Sequence, residues 1–87
     1  MKTIEDLRLQ IDKVDSEIIS LVCTRQVLVK SLASLKRDSG LPIRNEEIES
    51  KKVKSAKAFA SSLPIDPSLA VDVMRLLIAH SVLEQTK

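Results

Sequence analysis

Arg25 interrupts an apolar seam that otherwise runs Ile4, Leu7, Ile11, Val14, Ile18, Leu21, Leu28, Leu32 and Leu35. A lone guanidinium on such a face is costly to desolvate unless it meets an anion. A buried acid such as Asp15 or Glu49 is one possible partner, and an anionic ligand is the other. Lys36 follows 11 residues later, about 20° off the same helix face and about 16 Å along the axis. Two long side chains reaching toward each other across that interval can hold one anion between them. Arg8, 17 residues before Arg25, lies about 100° round the helix and cannot easily serve the same ligand from the same chain. In an antiparallel dimer it can serve the partner's. Taken singly, Arg8 and Lys36 also read as solvated surface charges.

Three further polar residues sit where apolar ones belong. Ser81 and Gln85 are spaced i to i+4 on an apolar helix face, either as hydrogen-bonding core residues or as the neutral donors of a site. Glu49 lies on an apolar stripe and needs an arginine, a lysine or a ligand hydroxyl as company. No Cys or His cluster suggests a metal, since His80 is the only histidine, and no Gly-rich phosphate loop or nucleophile with a base is present. An enzyme built from these residues works by clamping and electrostatics, without cofactor, covalent intermediate or acid–base relay.

The elements that carry these residues are helices. Apolar residues make up 44% of the 87-residue chain, with one aromatic residue, Phe59, one glycine and three prolines, a mixture that favours helix and leaves little material for sheet. The formal charge of +2 is too balanced to announce a nucleic-acid or acidic-lipid partner. The lysines from Lys51 to Lys57 have no aromatic residues among them to stack bases and read as a wet helix face. Cys23, the single cysteine, reads as a small buried thiol in a reducing compartment. No apolar core of signal-peptide length and no run of 18 apolar residues is present, so the expectation is a soluble, cytoplasmic, single-domain protein with no membrane partner.

The seam's three-four alternation is a coiled-coil period. Thr3 with Asp6 resembles a capping box, and Gly40 followed by Leu41 and Pro42 is a stop, so helix 1 is expected over about 4–39. At about 54 Å it is too long for a compact chain of this size, about 30 Å across, and its overhang calls for a second subunit, most economically in a two-fold dimer. Asn45 caps helix 2, expected over about 46–62, with Glu49, Val53, Ala56, Ala60 and Leu63 on one stripe. Asp66 and Pro67 open helix 3, expected to about residue 86, whose inner stripe is Met74, Leu77, Ile78, Ser81, Val82 and Gln85.

The segments LRLQIDKVDSEIISLVCTR (7–25), GLPI (40–43) and SVLEQ (81–85), with Lys36 and Glu49, resemble the all-helical chorismate mutases, the AroQ class, over essentially the whole chain. The resemblance implies an all-α, intertwined homodimer of three-helix chains that rearranges chorismate to prephenate in phenylalanine and tyrosine biosynthesis. It implies that Arg8 from the partner chain and Arg25 grip the two substrate carboxylates. It further implies that Lys36 bridges a carboxylate and the ether oxygen, Gln85 donates to that oxygen, Glu49 accepts from the ring hydroxyl, Asn45 contacts a hydroxyl, and Ser81 lines the carboxylate end.

Two positions depart from the family pattern: Asn45 stands for an aspartate and Ile48 for an arginine. Arg44 partly compensates for the lost charge, from a different direction. These changes leave open a same-fold enzyme acting on isochorismate or 4-amino-4-deoxychorismate. A non-catalytic helical dimer that regulates another shikimate-pathway enzyme is the remaining alternative.

Overall fold

Each helix begins where a side chain can take one of its first free N–H groups. In a computed structural model, which describes residues 3–87, Thr3 Oγ1 accepts from the Asp6 amide and the Asp6 carboxylate accepts from the Thr3 amide, both at 3.1 Å. This reciprocal capping box opens α1 (Ile4–Ser39) and, through the Thr3 amide and hydroxyl, holds the Asp6 carboxyl below its ordinary range. The Asn45 side chain accepts from the Ile48 amide at 3.1 Å and opens α2 (Glu46–Ala60). Asp66 accepts from the Ser68 amide at 2.9 Å and, with Pro67 at the first position, opens α3 (Pro67–Gln85).

The ends follow from equally local chemistry. Gly40 takes φ 67°, the left-handed conformation that a side chain disfavours. The Leu41 amide then reaches back to the Lys36 carbonyl at 2.8 Å and the Gly40 amide to the Arg37 carbonyl at 3.3 Å, the paired bonds of a Schellman cap. α2 stops at Ala60, two residues before the expected 62. Ser61 and Ser62 turn their hydroxyls back onto the Lys57 and Phe59 carbonyls, and Leu63 precedes Pro64, which disfavours the helical conformation there. Leu63, placed on the stripe by its spacing, consequently remains 41% exposed. α3 ends at Gln85, with Thr86 as its cap rather than its last residue.

α3 packs against both α1 and α2, whereas α1 and α2 do not pack against each other. The gap between them is floored by α3. The stripe of α1 that meets α3 is Val22, Gln26, Val29 and Ala33, of which Val29 and Ala33 are buried. The Leu/Ile seam is a different face: Ile4, Leu7, Ile11, Val14, Ile18, Leu21, Leu28, Leu32 and Leu35 are all exposed. The molecule measures 57 × 24 × 15 Å with a radius of gyration of 16.3 Å, against about 12 Å for a compact chain of this length.

Cys23 is exposed, not the buried thiol expected. It follows Val22 and falls on neither the α3-facing stripe nor the seam. By length and composition α1 could cross a membrane, with an 18-residue window of mean hydropathy 1.5. Arg25 and Lys36 nevertheless bond from this helix to α3 and to the following loop, as befits a helix packed on its own chain.

Candidate active site

Arg25, Lys36, Asn45, Glu49, Ser81 and Gln85 surround one cavity of about 310 Å³ between α1 and α2. Its walls are otherwise largely apolar, with Val29 and Leu32 from α1, Ile48 from α2, and Ile78 and Val82 from α3. Arg8 is apart from this group within one chain, about 25 Å from Arg25 along α1. A larger open groove of about 770 Å³ lies against Arg44, Lys54 and Arg75. It shares Glu49 but none of Arg25, Lys36, Ser81 or Gln85, so the polar groups converge on the smaller cavity.

Arg25 leans from α1 onto the last turns of α3. Its Nη1 donates to the Leu77 carbonyl at 3.2 Å and, by a short bond, to Ser81 Oγ. Ser81 Oγ in turn donates to the Leu77 carbonyl at 2.8 Å. A guanidinium carries five N–H donors, and these bonds occupy only Nη1. The side-on pair formed by Nε and Nη2, the geometry that matches a carboxylate, is left to a ligand. Neither Asp15 nor Glu49 pairs with Arg25: among the described residues its partners, the Leu77 carbonyl and Ser81 Oγ, are neutral, while Glu49 bonds to Arg44.

Lys36 sits where α1 terminates, so the Schellman cap that uses its carbonyl also fixes the start of its side chain. Nζ donates to the Ile43 carbonyl and to Gln85 Oε1, both at 2.7 Å, which leaves one N–H of the ammonium. Gln85 is buried and donates through Nε2 to the Ser81 carbonyl at 3.1 Å, which again leaves one N–H. Next to it Glu84, its side chain only 8% exposed, receives Lys30 from α1 at 3.5 Å and Lys87 at 3.0 Å. This brace ties the end of α3 to α1, and hydrogen bonding to Lys87 is the main cause holding the Glu84 carboxyl below its usual range.

Glu49 is gripped by Arg44, through Nη2 to Oε1 at 2.7 Å and Nε to Oε2 at 3.2 Å. The Arg44 bond, and more weakly its charge and that of Lys36, hold the Glu49 carboxyl low against the raising effect of burial. The carboxylate is thus kept ionised and fixed as an acceptor at the cavity wall. Because its value is depressed on folding, the stability the pair contributes is present above the ordinary glutamate value of about 4.3 and fades as pH falls through Glu49's own, lower value. In Arg44→Ala the Glu49 carboxyl is expected to titrate at a higher pH than in the parent. Carbon-detected NMR titration of that side chain reads this directly, and an unmoved midpoint would remove Arg44 from the role.

Sequence reasoning gave Arg44 only a compensating part. The full pairing with Glu49 depends on the loop at 41–45 bringing a residue five positions earlier back over the first turn of α2. Lys52 also lines the cavity, although the lysine run in which it stands reads as a solvated face. Its signal was there in the spacing, since Asn45, Glu49 and Lys52 recur at the i, i+4, i+7 positions of one helix face.

The arrangement gathers two cations, Arg25 and Lys36, with the Gln85 amide at one cavity, a set suited to a small dianion and to donating hydrogen bonds to charge that develops between Lys36 and Gln85. A family model described as chorismate mutase type II matches residues 7–86. The chorismate mutase of Methanocaldococcus jannaschii is 25% identical over 81 residues, 93% of this chain and 82% of the relative. The T-protein of Haemophilus influenzae is 33% identical over 81 residues, again 93% of this chain but 22% of the relative.

Proposed function

The chain belongs to the type II chorismate mutase family, and on that premise we propose that it rearranges chorismate to prephenate in a site completed by a second copy of the chain. The observation that carries this reading is Arg25, a partly buried guanidinium with neutral partners and a free carboxylate-binding edge, in the same cavity as Lys36. The reaction is a unimolecular Claisen rearrangement. It needs the dicarboxylate held in its chair-like reactive conformer and donors placed where negative charge grows on the ether oxygen. Arg25 holds one carboxylate, and Lys36 spans a carboxylate and the ether oxygen. Gln85 donates to that oxygen from the other side, Glu49 accepts from the ring hydroxyl with Asn45 beside it, and Ser81 keeps Arg25 in place.

The second carboxylate is left to Arg8 of a partner. Two features support a homodimer: the seam of α1 exposed along its length, and a groove of about 690 Å³ lined by Phe59, Ile65, Leu69, Ala70, Val73 and Met74. An uncovered apolar surface of this extent marks an interface. The reading is of a cytoplasmic enzyme of aromatic amino acid biosynthesis, where the lone Cys23 stays reduced.

Purified protein at micromolar concentration is expected to accelerate the loss of chorismate's ultraviolet absorbance, and no acceleration would remove the reading. The shared site has its own test. Arg8→Ala and Lys36→Met chains should each be nearly inactive. Co-refolding equal amounts should restore about a quarter of parental activity, because half the dimers are mixed and each mixed dimer has one intact site. Activity that stays at the level of the separate variants would place Arg8 outside the site.

A further inference from the structure

The inference rests on the reading of the cavity as a chorismate site. Of its two long walls, α1 supplies two cations, Arg25 and Lys36, whereas α2 supplies Glu49 as the cavity's only carboxylate, together with neutral Asn45 and Ile48. Glu49 keeps its charge through Arg44, which does not itself line the cavity. Arg44 balances the Glu49 charge at 2.7 Å from outside the cavity, so Arg44 and Glu49 together offer a dianion at the α2 wall little net attraction. Lys52 is the one cation that α2 contributes to the cavity.

Lys51 pairs with Glu47, Arg44 with Glu49, and Lys30 and Lys87 with Glu84, but Lys52 has no ion pair or hydrogen bond among the described residues. It stands one turn beyond Ile48, and helical side chains lean toward the N-terminus of their helix. Lys52 is exposed and lines the cavity on the same face of α2 as Ile48. Lys52, Ile48 and Arg25 also border the apolar groove read above as a subunit interface, so Lys52 stands at the margin of the cavity rather than at the reacting centre.

We propose that Lys52 is a substrate-binding residue whose ammonium attracts a carboxylate of the incoming dianion from the α2 side of the cavity. An exposed, flexible ammonium contributes to binding and encounter rather than to charge developing at the ether oxygen. Its signature is therefore in KM and not in kcat, and it is weakened by salt.

Lys52→Gln should raise KM for chorismate about three- to fivefold at low ionic strength, with kcat within error of the parent and the difference shrinking at about 0.5 M salt. Lys52→Arg should restore the parental KM. Lys51→Gln, one position away on a lysine already paired with Glu47, should match the parent. If Lys52→Gln is indistinguishable from Lys51→Gln, or loses kcat or dimer stability instead of raising KM, the proposal is overturned while the mutase reading stands. Lys52 bonded to a partner chain's carboxylate would give the dimer-stability result. A parent chain without chorismate turnover overturns both.

Discussion

Arg25→Ala is expected to lower kcat/KM for chorismate by about 10³-fold while leaving helicity and assembly intact. The guanidinium is held at the α1–α3 contact by the Leu77 carbonyl and Ser81 Oγ, acceptors that fix its position without neutralising it. A partly buried charge in that state costs desolvation in the empty protein, so its removal relieves as much as it disrupts. Ser81 keeps its own bond to Leu77. With substrate present the balance reverses, because a bidentate carboxylate pair is lost. Hydrogen bonds to charged groups contribute about 1.5–3 kcal/mol each, and two of them correspond to roughly 10²–10⁴ in rate constant. Steady-state kinetics beside a thermal melt by circular dichroism checks both halves. A variant that loses its helical signal would show that Arg25 holds the fold together, with the substrate a secondary partner.

The same residue shows why part of the molecule was legible and part was not. Helix starts and the Gly40 stop follow from side chains adjacent in sequence, and those were readable: Thr3 with Asp6, Asn45, Asp66 with Pro67. The seam of α1 was readable too, but as the strongest apolar period in the chain it points outward, away from the chain's own helices. The stripe that packs on α3 is built of Val22, Gln26, Val29 and Ala33, smaller or polar residues whose period is masked by the leucines and isoleucines beside it. Small side chains are what let α3 approach α1 closely enough for Arg25 to reach Leu77 and Ser81.

The partners of the polar residues were less legible than their importance. That Arg25 needs an anion follows from its place among apolar residues. Asp15 lies ten residues back along α1, about 15 Å away, and that the anion is not Glu49 depends on the loop between α1 and α2, which delivers Arg44 to Glu49 first. Position 48 is the counterpart case. An isoleucine there looks like a lost cation when only the motif is considered. The α2 wall does carry a cation, one helical turn further on at Lys52, and only the placement of α2 against the gap separates Lys52 from the solvated lysines around it.

Lys36→Met should reduce kcat by about 10²–10³-fold, with a smaller change in KM. Methionine preserves most of the apolar stem, and the α1 stop survives because it uses the Lys36 backbone carbonyl and the Gly40 conformation. What is lost is the ammonium that spans the Ile43 carbonyl and Gln85 Oε1. Gln85 then has nothing on Oε1 to hold its amide plane, although Nε2 remains tied to Ser81. Two donors to the ether oxygen are therefore degraded by one substitution: the lysine directly and the glutamine through its orientation. Their effect grows as the carbon–oxygen bond breaks and charge appears on oxygen, so it is felt in the transition state more than in the bound substrate. Removal of a single preorganised donor typically costs 10²–10³ in kcat, which sets the lower end of the expectation. Lys36→Arg should not rescue the rate, since a planar fork cannot occupy the point between Ile43 and Gln85 that a compact ammonium fills. Measuring substrate affinity and transition-state-analogue affinity on the same variant decides the matter. An equal loss of both would assign Lys36 to holding the carboxylate alone, whereas a larger loss for the analogue would assign it to the breaking bond.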